Sequence, residues 1–162
     1  MARTYQARFG NGVMFSNENT VGIGMKNDRT DVVLIQYILK AVMTANKIFL
    51  AGNTRFTPPP GPQLNVSGVW DEASKNYLAR WEALISEARA YWAHGRVDPT
   101  LYPGTVVPYR LGGKKIIALN EMGREFFGEE NFARLTLSGG TLPAETWNEL
   151  FFDSVTWRQH AD

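Results

Sequence analysis

Asp71 and Ser74 stand three residues apart at the start of an apolar-periodic segment, and Tyr77 follows three residues later. On a helix that spacing puts a carboxylate, a hydroxyl and an aromatic ring on one face. Such a group suits a glycan, whose hydroxyls need hydrogen-bond partners and whose apolar sugar faces lie on aromatic rings. Asp98 and Tyr102 bring the same chemistry from a later loop that must return past the end of that helix. Tyr91 and Tyr109 also lie off the apolar stripe or in irregular sequence, so Tyr77, Tyr91, Tyr102 and Tyr109 are the tyrosines expected to reach solvent. A structural reading stands beside the functional one: Asp71 can cap the helix through its carboxylate, and a tyrosine can be half-buried with its hydroxyl in water.

Other chemistries find less support. The chain has no cysteine, which excludes thiol nucleophiles, thiolate metal sites and disulfides. Its two histidines, His94 and His160, show no metal-ligand spacing. There is no G-x-S-x-G elbow and no phosphate-cradling glycine loop. Glu145 and Glu149 share a helix face, where like charges mark a solvated surface. No catalytic constellation emerges, so the expectation is a non-enzymatic protein without cofactor or metal. Lys and Arg number 17 against 16 Asp and Glu, for a net charge of +1 without a long run of one sign, which argues against a nucleic-acid partner.

The elements that must position these residues are mainly helical. Val32, Ile35, Leu39, Val42 and Met43 recur at helical spacing after Asp28, which predicts a first helix over 28–46. Leu34, Ile38 and Ala41 broaden its apolar face, as a central helix requires. The spacing of Ser74, Leu78, Trp81, Ile85, Ala88 and Trp92 predicts a second helix over 71–92. Ile116, Leu119, Asn120, Gly123, Phe126 and Phe127 predict a third over 114–127, ended by Gly128. Gly123 costs about 1 kcal/mol there relative to alanine, so a close helix contact is expected at it. Pro143 can open a short fourth helix carrying Trp147, Leu150 and Phe151.

Proline and glycine make 52–67 a stiff connector and 95–113 irregular. At the amino end, alternating residues on either side of Asn11-Gly12 predict a hairpin over 4–16 with a tight turn. A chain of 162 residues fits one domain: a hairpin extension over 1–25, a helical core over 26–128 and a carboxyl-terminal extension over 129–162. The most apolar run, 32–42, is interrupted by Gln36 and Lys40 and falls short of the ~20 residues that span a bilayer, so no membrane partner is expected.

The pattern Val32-x-x-Ile35-Gln36-x-x-Leu39, followed by Ser67-Gly68-Val69-Trp70-Asp71-x-x-Ser74 and Trp81-Glu82, resembles the peptidoglycan-binding domain family. That family pairs V-x-x-L-Q-x-x-L on its first helix with a D-G-x-F-G-x-x-T turn and a second helix ending in an aromatic followed by Gln. Gly68, Trp70, Ser74 and Trp81 match the turn glycine, its aromatic, its hydroxyl residue and the later aromatic. Gly95-Arg96-Val97-Asp98-Pro99 and Ile116-x-x-Leu119-Asn120 are similar to the second turn and third helix of phage-like members. Three positions depart: Ser67 replaces the aspartate, Asp71 the second glycine, and Glu72 a common proline. Residues 99–115 look like an insertion before the third helix.

The resemblance implies a three-helix wall-binding bundle, here with an amino-terminal β-hairpin and a short fourth helix, that holds peptidoglycan or its fragments without catalysis. Asp71, Ser74, Tyr77, Asp98 and Tyr102 are the ligand-binding candidates. The alternative is an adaptor or structural subunit of a phage tail or contractile injection machine, whose partners are protein. No signal-peptide core follows Met1, so synthesis in the cytoplasm with delivery by lysis or a dedicated machine is expected. A third reading starts from Glu18 to Gly24, which resembles the Gly-Ile-Gly turn of phage lysozymes. A small muramidase needs its acid on a preceding helix, and Glu18 sits too close to the turn.

Overall fold

A computed structural model of the protein describes residues 3–6, 13–16, 19–50, 52–88, 94–98 and 115–137. The described residues are mainly helical, with short two-stranded pairings at their margins. In chain order the elements are β1 (Arg3–Gln6), β2 (Val13–Ser16), β3 (Val21–Gly22), α1 (Arg29–Thr44), β4 (Ile48–Phe49), β5 (Thr54–Arg55), α2 (Glu72–Ala88), β6 (Arg96–Val97), α3 (Lys115–Phe127) and α4 (Glu129–Ala133). The expected helix from Pro143 lies outside the described residues.

Helix α1 is the centre. Residues 31–39 and 41–43 are all buried, around the whole circumference, because α2 and α3 both pack on it. A helix with apolar side chains on every face is stable only when covered in this way. Ile35, Leu39, Leu78, Trp81, Ile85 and Leu119, whose spacing predicts the three helices, are all fully buried. The first helix lacks a side-chain cap at Asp28, whose carboxylate instead takes Asn19 Nδ2 at 2.6 Å and Lys26 at 3.1 Å.

The amino-terminal hairpin forms, with Gln6 opposite Val13, and the expected Asn11-Gly12 turn lies outside the described residues. Two features escape the periodicity. Residues 48–55 fold into the small β4–β5 hairpin, so the connector begins only after it. Helix α4 follows Gly128 directly and drives the Phe132 ring onto α3 at Gly123, where an added Cβ would lie 2.3 Å from that ring. The close approach expected at Gly123 is therefore to a side chain of α4. Beyond α4, the Tyr37 hydroxyl donates to the Leu135 carbonyl and accepts the Leu137 N–H at 3.0 Å, tying the chain back to α1. Burial holds the Tyr37 phenol above its ordinary pKa, and the Leu137 bond opposes that shift.

Candidate binding surface

The loop into α2 is built around one buried side chain. Gln36 is fully buried on α1, and its Oε1 accepts the N–H groups of Ser67 at 3.0 Å and Gly68 at 2.9 Å. Its Nε2 donates to the Val69 carbonyl at 2.8 Å and to Ser74 Oγ at 2.9 Å. Every polar atom of the amide is used, and the loop backbone is satisfied away from water. Gly68 is required here: its φ is +79°, and a Cβ would meet Arg29 Cγ at 2.6 Å. Trp70 packs partly buried against the core. Asp71 Oδ1 then accepts the Ser74 N–H at 2.9 Å, the bond of an N-cap, together with the Ser74 hydroxyl at 2.7 Å.

This geometry corrects two expected contact residues. Ser74 is fully buried, with its hydroxyl shared between Gln36 and Asp71, and Tyr77 is only 2% exposed. Neither offers a surface to a ligand. The reason is that α2 is covered on two sides, by α1 and by the β4–β5 hairpin, so its buried face extends to Tyr77 and Leu84 beside the Leu78, Trp81 and Ile85 stripe. Asp71 is half-buried and occupied as a cap. Tyr102, Tyr91 and Tyr109 lie outside the described residues, as do Glu18, Glu145, Glu149 and His160.

Asp98 belongs to a second junction. There β3 pairs with β6, Val21 opposite Val97 and Gly22 opposite Arg96, so the segment before α1 and the turn after α2 meet edge to edge. Gly22 permits the approach, since a Cβ on it would fall 2.2 Å from the Gly95 carbonyl oxygen. That backbone contact accounts for Gly22, and a φ of +72° accounts for Gly24. Asn27 holds the same turn, accepting the Gly22 N–H at 2.8 Å and donating to the Gly22 and Met25 carbonyls, each at 3.0 Å. Asp98 Oδ1 accepts the Thr20 hydroxyl at 2.9 Å and stays exposed.

Behind this second turn lies a buried ion pair. Glu82 and Lys115 are each about 4% exposed and bonded to each other. Glu82 Oε1 accepts the Gly95 N–H at 3.0 Å, and Lys115 Nζ donates to the Arg96 carbonyl at 2.9 Å. Lys115 Nζ also stands 3.4 Å from Nδ1 of the exposed His94. The arrangement mirrors the first turn. At Gly68 one amide accepts the glycine N–H and donates to the carbonyl of the next residue; at Gly95 a carboxylate accepts and a lysine donates. Asn120 does the same for β2, accepting the Phe15 N–H at 2.7 Å and donating to the Phe15 carbonyl at 2.8 Å.

The sequence carries a signal for the clamp positions, though not for the burial of a charged pair. Val32-x-x-Ile35-Gln36, Leu78-x-x-Trp81-Glu82 and Ile116-x-x-Leu119-Asn120 are one pattern repeated on three helices, with a polar clamp after the second apolar residue. Each clamp is buried: Gln36 and Asn120 are fully buried, and Glu82 is 4% exposed. Glu82 and Lys115 escape a sequence reading because two charged residues far apart in the chain are ordinarily solvated.

What faces solvent at the second junction is a small polar and aliphatic shelf of Thr20, Ile23, His94, Arg96 and Asp98, with Ile23 50% exposed. Val69, 65% exposed, projects from the first turn at the position equivalent to Arg96. Among the described residues, no group of three or more His, Asp or Glu is placed to hold a metal ion, and no helix is long and apolar enough to cross a membrane. Comparison with protein-family models, with curated proteins and with solved structures finds no match to this chain.

Proposed function

We propose that this protein is a non-catalytic module that holds bacterial cell-wall peptidoglycan, on a three-helix bundle like that of the peptidoglycan-binding domains. The observation that carries the reading is the Gln36 clamp. The residues on which the resemblance rests, Ile35-Gln36, Gly68, Trp70 and Ser74, come together at one loop, where Gln36 bonds the backbone of 67–69 and Ser74 directly. The resemblance thus has a physical cause in this chain, with the amide of the first helix setting the entry to the second. The contact surface in this reading is the shelf around Asp98, with Val69 beside the first turn, in place of the buried Ser74 and Tyr77.

The test is sedimentation of the full chain with purified sacculi, with soluble fragment release measured in the same tubes. Retention in the pellet without release is the expected result. Release of fragments would instead support the muramidase reading, and its loss in Glu18→Gln would assign the acid.

A second reading, a protein-binding adaptor of a phage-like or injection machine, is favoured by a specific observation. Leu50 is 78% exposed and Ile48 39% exposed on the β4–β5 hairpin, a protruding aliphatic pair better suited to a protein partner than to a sugar. A folded chain that stays in the supernatant with sacculi would favour this adaptor.

A further inference from the structure

The geometry points to Arg96 as an anchor for a ligand carboxylate, and in the wall-binding reading, on which this inference rests, that carboxylate belongs to the peptide stems of the polymer. Arg96 is exposed, and its Nε donates to the Ile23 carbonyl at 3.0 Å. Nη1 and Nη2 have no partner among the described residues. A guanidinium tethered through Nε keeps its end-on edge of two parallel N–H groups available, the fork that matches a carboxylate. Tethering also removes much of the rotamer freedom that an unrestrained arginine would lose on binding.

The support beneath this side chain is unusually firm for an exposed turn. The Arg96 carbonyl accepts from the buried Lys115, the preceding N–H is held by Glu82, and its backbone pairs with Gly22. Asp98 lies on the same face of the strand, two residues on, yet it accepts from Thr20, and no ion pair joins it to Arg96 within 4.0 Å. Among the described residues the guanidinium therefore has no ion-pair partner. Gly24 passes beneath it without a side chain, since a Cβ there would sit 3.7 Å from Nη2. Ile23, half-exposed alongside, supplies an aliphatic contact. A carboxylate with a small apolar group next to it, as at the end of an alanine-terminated peptide, fits both parts.

The experiment uses the full chain with two soluble probes, acetyl-dialanine as the free acid and as the amide, and with sacculi before and after removal of the peptide stems by an amidase. The Arg96 Nε–H resonance should shift with the acid and not with the amide. Arg96→Gln should lower retention on intact sacculi by about tenfold or more, as expected for loss of a charge-assisted pair. Arg96→Lys, which keeps the charge but not the fork, should also weaken retention, and an unchanged melting temperature in either variant would separate binding from folding. Stripping the stems should lower wild-type retention to that of Arg96→Gln.

The inference is overturned if the wild-type resonance ignores the free acid, or if folded Arg96→Gln and Arg96→Lys sediment with intact sacculi as the wild type does. If the acid binds through Arg96 while the wild type fails to sediment with sacculi, the anchor stands and the wall-binding reading falls.

Discussion

At the scale of single residues, three polar clamps inside the core, built from four side chains, decide where the connecting segments lie. Gln36, Asn120 and the Glu82–Lys115 pair each satisfy a distant backbone N–H and a distant carbonyl. Two neutral amides do this without net charge, whereas the third clamp buries two opposite charges whose desolvation is offset only while both remain. Lys115→Met alone should therefore cost about 3–5 kcal/mol, because it leaves the Glu82 carboxylate buried without its cation. The double variant Glu82→Gln with Lys115→Met should recover most of that loss, since a glutamine at 82 can accept from Gly95 and donate to Arg96 as Gln36 does at the first turn. Urea unfolding of the two single variants and the double variant measures the coupling. A double variant no more stable than Lys115→Met would show that the two turns are not chemically equivalent.

At the scale of elements, the periodic helices were legible and the short pieces were not. Residues 28–46, 71–92 and 114–127 read as helices because burial on one or more faces imposes a 3.6-residue period over several turns, and α1, α2 and α3 fall within them. Strands β4 and β5 hold two residues each, and α4 holds five, too few for any period to register. Ser74 and Tyr77 were misassigned for a related reason. Their type and spacing are the same whether a helix meets one neighbour or two: Ser74 is buried on the α1 side, where Gln36 takes its hydroxyl, and β5 packs on α2 as well. Of the site, Asp98 and the Gly95 turn were visible as a motif, while the Glu82–Lys115 support, joining residues 33 apart, was not.

Gly123 gives an element-scale prediction. Helix propensity alone makes Gly123→Ala stabilising by about 1 kcal/mol. In this fold the added methyl would meet the Phe132 ring at 2.3 Å and push α4 off α3. The overpacking should dominate, with a net loss of about 1–3 kcal/mol by denaturant unfolding. Shortening the ring in Phe132→Leu should turn the effect of Gly123→Ala back toward neutral, and a stabilised Gly123→Ala in the native background would contradict the close packing.

At the scale of the molecule, α1 is the element on which the two other long helices meet. It packs directly against α2, α3 and β3, its Gln36 holds the loop before α2, and its Tyr37 holds the segment after α4. Its Asp31 accepts the Asn19 N–H at 3.0 Å and so helps to place the segment that pairs with the Gly95 turn. A helix with so many dependants should make unfolding cooperative, with no partner segment surviving its loss. Leu39→Ala, at a fully buried site on α1, should cost about 2–5 kcal/mol, and Leu78→Ala, on the facing side of α2, a similar amount. Leu50→Ser, at a side chain 78% exposed, should stay within about 0.5 kcal/mol of the native protein. In urea followed by far-UV circular dichroism, the two core variants should shift the midpoint and leave the slope unchanged, because the surface exposed on unfolding is the same. A lowered slope or a second transition in Leu39→Ala would mean that part of the structure folds without α1, and the central role assigned to that helix would have to be given up.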